Sequence, residues 1–167
     1  MAAVRQISGH TGLYAVIGNP VKHSLSPLIM NSAFAFNGID AVYVALTVRE
    51  EDARMAMEMV RSFGIRGVNV TMPLKQAITP WLDYLSPTAE LVGAANCVLN
   101  RGGFLEGHNT DCTGFRLSLE PCFSQAPKTA FLLGAGGAAR AIAAELVSWG
   151  CETLYVTNRS LENARAL

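Results

Sequence analysis

The chain has 167 residues, half of them apolar and only 16% charged, and its thirteen basic and thirteen acidic side chains cancel. That length fits one ordinary domain or one and a fraction, and the composition suits a compact α/β protein with a buried sheet. With no basic stripe, charge block or long apolar run, neither nucleic acid nor a membrane is expected as a partner.

The amino terminus has no basic region leading into an apolar stretch, so no secretory signal is expected. Cys97, Cys112, Cys122 and Cys151 form neither a CxxC pair nor a metal-ligand spacing. They read as reduced thiols of a cytoplasmic protein. His10, His23 and His108 are equally scattered, and no metal site is expected.

In chain order, residues 12–17 (GLYAVI) read as a strand, followed by a polar loop over residues 18–25. Ser26 is expected to cap a helix with Pro27 in its first turn and Gly38 at its end. Residues 41–48 (AVYVALTV) form a second strand, nearly all apolar as in a sheet covered on both faces. Glu50, Glu51 and Asp52 then sit where a helix amino terminus favours negative charge. That helix is expected to show Met55, Met59, Val60 and Phe63 on one side and to close at Gly64. A third strand begins at Gly67-Val68 and runs into Asn69-Val70-Thr71-Met72-Pro73-Leu74-Lys75. Two strand–helix crossovers of this kind imply a parallel sheet.

Ser86-Pro87 opens another helix. Residues 96–100 and 104–108 then read as a hairpin with Gly102 and Gly103 in the turn, so antiparallel strands finish the sheet. Thr110 or Asp111 is expected to cap the next helix, through about Leu119. Two prolines and a serine in residues 121–128 read as a linker. The expected domains are residues 1–122 and residues 123–167.

From Thr129 the pattern restarts as a nucleotide fold. Residues 130–133 (AFLL) read as a buried strand, residues 138–149 as a helix ending at Gly150, and residues 153–157 (TLYVT) as a second strand. Between strand and helix lies Gly134-Ala135-Gly136-Gly137-Ala138-Ala139, a G-x-G-x-x-A fingerprint. Its first glycine permits a tight turn, its second lets a pyrophosphate approach the backbone, and its third small residue lets helix and strand pack closely. The helix amino terminus supplies N–H donors for phosphate. After the second strand stands Asn158-Arg159-Ser160, where an NAD site usually places a carboxylate. An arginine there pairs with a 2′-phosphate, which favours NADP over NAD. The chain stops at Leu167, inside what should be the second helix. A doubly wound domain needs more strands, so an incomplete Rossmann-type domain is expected.

The candidate chemistry converges at one sheet edge. Ser24 and Ser26 follow the first strand, and either hydroxyl could bind a small polyol or carboxylate, although Ser26 alone reads best as a cap. Thr71 and Lys75 follow the third strand, past a proline that ends it. Asp111 follows the hairpin, and alone also reads as a cap. Loops beyond strand carboxyl ends are where open α/β sheets hold ligands, and a lysine and an aspartate in one crevice form a proton-transfer pair.

These residues carry a resemblance to the shikimate dehydrogenase family. It rests on Gly18-Asn19-Pro20, Ser24-Leu25-Ser26-Pro27, Asn69-Val70-Thr71-x-Pro73-x-Lys75, Gly93-Ala94-Ala95-Asn96, Asn109-Thr110-Asp111 with Gly114-Phe115, and Gly134-Ala135-Gly136-Gly137-Ala138. The resemblance implies NADPH-dependent reduction of 3-dehydroshikimate to shikimate, towards aromatic amino acids and chorismate. It implies that Lys75 and Asp111 act at the reacting oxygen. Ser24, Ser26, Thr71 and Asn96 would bind the carboxylate and ring hydroxyls. The glycine turn and Asn158-Arg159-Ser160 would hold the coenzyme, the latter at its 2′-phosphate. A small-molecule substrate and a second copy in a homodimer are the expected partners.

Two departures stand out. Many members carry a second basic residue where this chain has Asn163, with Arg165 near it, and the family's carboxyl-terminal part is absent. Relatives acting on quinate or aminoshikimate would use the same frame, and a catalytically silent binding fragment is the alternative of a different class.

Overall fold

In the computed structural model, which describes residues 6–167, strand β1 (Gly12–Gly18) is the second strand from one edge of a six-stranded sheet. Residues 1–5, where no leader was expected, lie outside the described residues. Helix α1 (Ser26–Phe36), β2 (Ala41–Thr47), α2 (Ala53–Ser62) and β3 (Gly67–Val70) follow. Next come the one-turn helix α3 (Leu74–Ala77), β4 (Tyr84–Leu85), α4 (Pro87–Val92), β5 (Cys97–Arg101), β6 (Phe104–His108) and α5 (Asp111–Leu119). The strand order is β2-β1-β3-β5-β6-β4. β1 pairs parallel with β2 and β3, β5 runs antiparallel to β3 and β6, and the edge strand β4 is parallel to β6.

That topology fixes where the chemistry can sit. β1, β3 and β6 all point the same way, so their carboxyl ends share one edge with the start of β5. The hairpin turns at Gly102 and Gly103, which adopt φ values of 64° and 101°.

Alternation along β1 divides the core. Ala15 and Ile17 face α2 and α4 in one cluster with Val68, Val70, Val98 and Leu105, while Val16 faces α1 with Val21, Phe34 and Tyr43 in another. The buried side of α2 is Ala53, Ala56, Met57 and Val60, not the expected Met55, Met59 and Phe63, which are exposed. The i, i+3, i+4, i+7 stripe is built on alanines because the helix lies close to the sheet. Opposite it, Asp83 accepts from Arg61 and from the Leu105 N–H, both at 2.7 Å, tying α2 to the hairpin. Arg61 and then the Leu105 amide hold the Asp83 carboxyl below its ordinary range. This tie is therefore present above the ordinary carboxylate pKa and is lost as pH falls through the lowered value.

Residues 120–128 form neither helix nor strand. A βαβ unit follows: β7 (Thr129–Leu133), α6 (Gly137–Trp149) and β8 (Thr153–Thr157), with β7 and β8 parallel, and then α7 (Leu161–Arg165). β7 is not buried throughout as expected. Only Leu132 is, whereas Phe131 and Leu133 are exposed. In this two-stranded sheet the face away from Leu132 is bare, and Phe131 stacks on Tyr155 at 5.8 Å. The unit is attached through α6. Cys112 donates to the Ala141 carbonyl at 3.3 Å, and Arg116 pairs with Glu145 at 3.3 Å. No helix among the described residues is long and apolar enough to cross a membrane.

Candidate active site

The site starts from three strand ends. The Thr71 N–H donates to the Ile17 carbonyl, the Asn19 N–H to the Met72 carbonyl and the Val70 N–H to the Asn96 carbonyl, each at 2.9 Å. These bonds hold the loops after β1 and β3 against the start of β5. Gly18 lets the first two approach. A Cβ there would overlap Thr71 Cγ2 and lie 3.0 Å from the Met72 carbonyl oxygen. Gly18→Ala should therefore cost about 1–3 kcal/mol, read as a lower urea midpoint with an unchanged slope. It should also weaken small-molecule binding, since Thr71 must move.

Between these loops and α1 lies a cavity of about 420 Å³, lined by Ser24, Ser26, Asn69, Thr71, Lys75 and Asn96 among others. Ser26 does not cap α1 as expected. It is the first helical residue, and its N–H donates to Ser24 Oγ at 3.2 Å. Ser24 thus satisfies the helix start, which leaves the Ser26 hydroxyl to the cavity. Asn69 enters the wall because β3 runs two residues further than Gly67-Val68. Its place in the family motif was the only signal for it.

Lys75 stands on the first turn of α3, and its Nζ lies 2.5 Å from Asp111 Oδ2. Asp111 Oδ1 accepts from Asn96 Nδ2 at 2.7 Å. Neither Thr110 nor Asp111 caps α5 by its side chain. Instead the Asp111 N–H donates to Asn109 Oδ1 at 3.0 Å, and buried Asn109 donates to the Ala94 carbonyl at 2.9 Å. Asp111 can therefore aim its carboxylate at Lys75. Asn96 also donates to Thr110 Oγ1 at 3.0 Å and accepts from the Thr110 N–H at 2.9 Å. Both amide hydrogens of Asn96 are committed to holding this corner. The Lys75 and Asp111 side chains are 19% and 27% exposed, screened but open to a ligand.

The glycine turn meets this pair. Gly134 adopts φ 114° and its N–H donates to the Thr157 carbonyl at 2.7 Å. Gly136 precedes α6, and Ala139 is buried, as close packing of helix on strand requires. Gly137 lies against the lysine: a Cβ built there would be 3.3 Å from Lys75 Cβ. A second cleft of about 400 Å³ is lined by Thr71, Met72, Lys75, Gly136, Gly137 and Ala138. Lys75 and Thr71 border both cavities. Asn158, Arg159 and Ser160 stand apart from Lys75, at the end of β8. Asn158 donates to the Ser160 carbonyl at 3.0 Å, and Ser160 Oγ caps α7 by accepting from the Asn163 N–H at 3.3 Å. Arg159 is exposed and has no ion-pair partner among the described residues.

Burial pushes the Cys97 thiol up. It does the same to Cys112, where Glu145 and Asp111 add to the effect. Both stay thiols rather than nucleophilic thiolates. No cluster of metal-ligating side chains occurs among the described residues.

Fold and site together define a two-part α/β protein in which a polar cavity and a dinucleotide-type turn share one lysine. Residues 16–98 match the family model described as the shikimate dehydrogenase substrate binding domain. The chain is 47% identical over 163 residues to a shikimate dehydrogenase (NADP(+)) of Moorella thermoacetica, covering 97% of this chain and 55% of that protein. The corresponding enzyme of Streptococcus sanguinis is 45% identical, with 92% of this chain and 54% of that protein covered. Among solved structures, shikimate dehydrogenase from Aquifex aeolicus superposes with a TM-score of 0.89 at 41% identity, covering 96% of this chain and 60% of that one. The Thermus thermophilus enzyme in complex with NADP(H) and shikimate gives 0.81 at 40% identity, covering 93% and 59%. The chain belongs to the shikimate dehydrogenase family. It spans about half the length of the curated relatives it matches.

Proposed function

We propose that this chain supplies the substrate site and the first nucleotide-binding unit of an NADP-dependent shikimate dehydrogenase, with residues 1–122 forming the former and residues 123–167 the latter. The observation that carries the reading is the position of Lys75, whose side chain borders both the cavity under α1 and the cleft beside the glycine turn. Relatives at 47% and 45% identity carry that activity in their names. Four free cysteines favour a reducing, cytoplasmic setting.

The residues present fit the coenzyme. Nothing lies within 4 Å of a Cβ built on Gly136, so the backbone there is open to a pyrophosphate. Exposed Arg159 offers an unpaired guanidinium to a 2′-phosphate. When bound, NADPH supplies the hydride that becomes the new C–H bond at the ketone carbon of 3-dehydroshikimate. The chain's own residues do the rest. Ser24, Ser26 and Thr71 present hydroxyls to the carboxylate and ring hydroxyls of the acid. The Lys75 ammonium donates a proton to the ketone oxygen, and the C=O bond becomes C–OH. Asp111, held by Asn96, keeps the ammonium aimed at that oxygen.

The test is NADPH oxidation with 3-dehydroshikimate, and its reverse with shikimate, in the full-length enzyme. Quinate and NAD serve as competing substrate and coenzyme. A shikimate dehydrogenase shows the higher kcat/KM for shikimate with NADP. Arg159→Ala should raise the KM for NADP about tenfold or more and leave that for NAD unchanged. Equal use of both coenzymes by the unaltered enzyme would remove the 2′-phosphate role.

A further inference from the structure

The joint between the two sheets is built from small side chains. Ala94, just past α4, and Cys112 of α5 are buried against Ala141 of α6, which lets the helices approach closely. Within this joint Gly137 is not explained by its own helix. It is the first residue of α6 and its φ is negative, so the backbone does not call for a glycine. An alanine would serve the helix at least as well. Nor does the fingerprint ask for one, since Gly134, Gly136 and Ala139 already fill its three prescribed positions.

What surrounds Gly137 sets it apart. A Cβ on Gly136 would meet nothing within 4 Å, whereas one on Gly137 would lie 3.3 Å from Lys75 Cβ, 3.6 Å from Lys75 Cδ and 3.7 Å from Ala94 Cβ. The last two are ordinary contacts. The first requires a neighbour to give by a few tenths of an ångström. The backbone of Lys75 has little room to do so. Its carbonyl accepts from the Ala95 N–H at 2.8 Å, and Leu74 and Ile78, on either side of it, are fully buried. A push on the stem is therefore passed outward to the ammonium, which Asp111 holds at 2.5 Å, or back to α6.

In the reduction proposed above, hydride and proton go to the two ends of one C=O bond. The hydride comes from a coenzyme seated on the turn that opens α6, and the proton comes from Lys75. The spacing between these two sources is part of the reacting geometry. We propose that Gly137 is a positioning residue for this step: having no side chain, it lets the coenzyme-bearing turn rest on the stem of Lys75, so that direct contact sets the spacing of hydride and proton donors. The proposal rests on the shikimate dehydrogenase reading of the two cavities.

In the full-length enzyme Gly137→Ala should lower kcat about tenfold. The KM for shikimate and the calorimetric Kd of NADP should each stay within about threefold of the unaltered values. The thermal midpoint should not fall, since the helix gains an alanine. Gly137→Val, which sets a larger side chain against the same stem, should lower kcat further. Lys75→Ala keeps the Cβ and the contact but removes the ammonium, so in that background Gly137→Ala should change kcat less than about twofold. A crystal structure of unliganded Gly137→Ala should show Lys75 Nζ displaced from the Asp111 carboxylate. An unchanged kcat, a loss that persists in the Lys75→Ala background, or a loss confined to NADP affinity overturns the proposal, and so does a lowered thermal midpoint. If the unaltered enzyme does not oxidise NADPH with 3-dehydroshikimate, the functional reading falls first and the proposal with it.

Discussion

Lys75→Ala in the full-length enzyme is expected to lower kcat by about 10²- to 10⁴-fold, the range that a positioned general acid contributes. Shikimate binding should change little by comparison. The cavity keeps Ser24, Ser26 and Thr71, and Asp111 keeps its bond to Asn96. The hydroxyls and amides nearest Lys75 in the cavity wall are poor proton donors beside an ammonium. Steady-state kinetics in both directions separate kcat from KM. Near-normal turnover would remove Lys75 from the chemistry.

Asp111→Asn should lower kcat by on the order of 10²-fold with a modest change in KM. The amide has the carboxylate's shape and can still pair with Asn96. It no longer holds an ammonium by charge at 2.5 Å. Lys75 is then free to swing, and misplacement of a reacting group costs rate even when the group is present. Stability should barely move, by less than about 1 kcal/mol, since partly exposed ion pairs contribute little. Combining Asp111→Asn with Lys75→Ala should cost no more than Lys75→Ala alone, because in the proposed role Asp111 acts through Lys75. Additive losses would give the carboxylate a separate role.

Much of the layout was legible in the residues. β1, β2, the hairpin and the glycine turn follow from apolar runs bounded by glycine and proline. Their order predicts which strand ends share an edge. What stayed hidden depends on contacts between distant segments. Ser26 and Asp111 each look like caps, since Ser and Asp before an apolar run satisfy helix N–H groups. Only the fold shows that Ser24 and Asn109 take over that duty and release both side chains.

The buried stripe of α2 was misread for a related reason. Met55 and Met59 are large and apolar, but the helix comes close to the sheet through Ala53 and Ala56 instead. α3 and β4 span four and two residues, too short for any periodicity to appear. Asn69 was visible as part of a motif, but its hydrogen bond with Tyr43, twenty-six positions earlier in the chain, was not. Gly137 looked like one more residue of a phosphate turn. Its contact with Lys75 belongs to the joint between the two sheets.

A crystal structure of the full-length enzyme with shikimate bound tests the central claim most directly. The account predicts the acid in the cavity under α1, with one hydroxyl oxygen within hydrogen-bond distance of both Lys75 Nζ and the Asp111 carboxylate, on the side facing the glycine turn. Shikimate bound elsewhere, or bound with the Lys75–Asp111 pair out of reach of any of its oxygens, would contradict it.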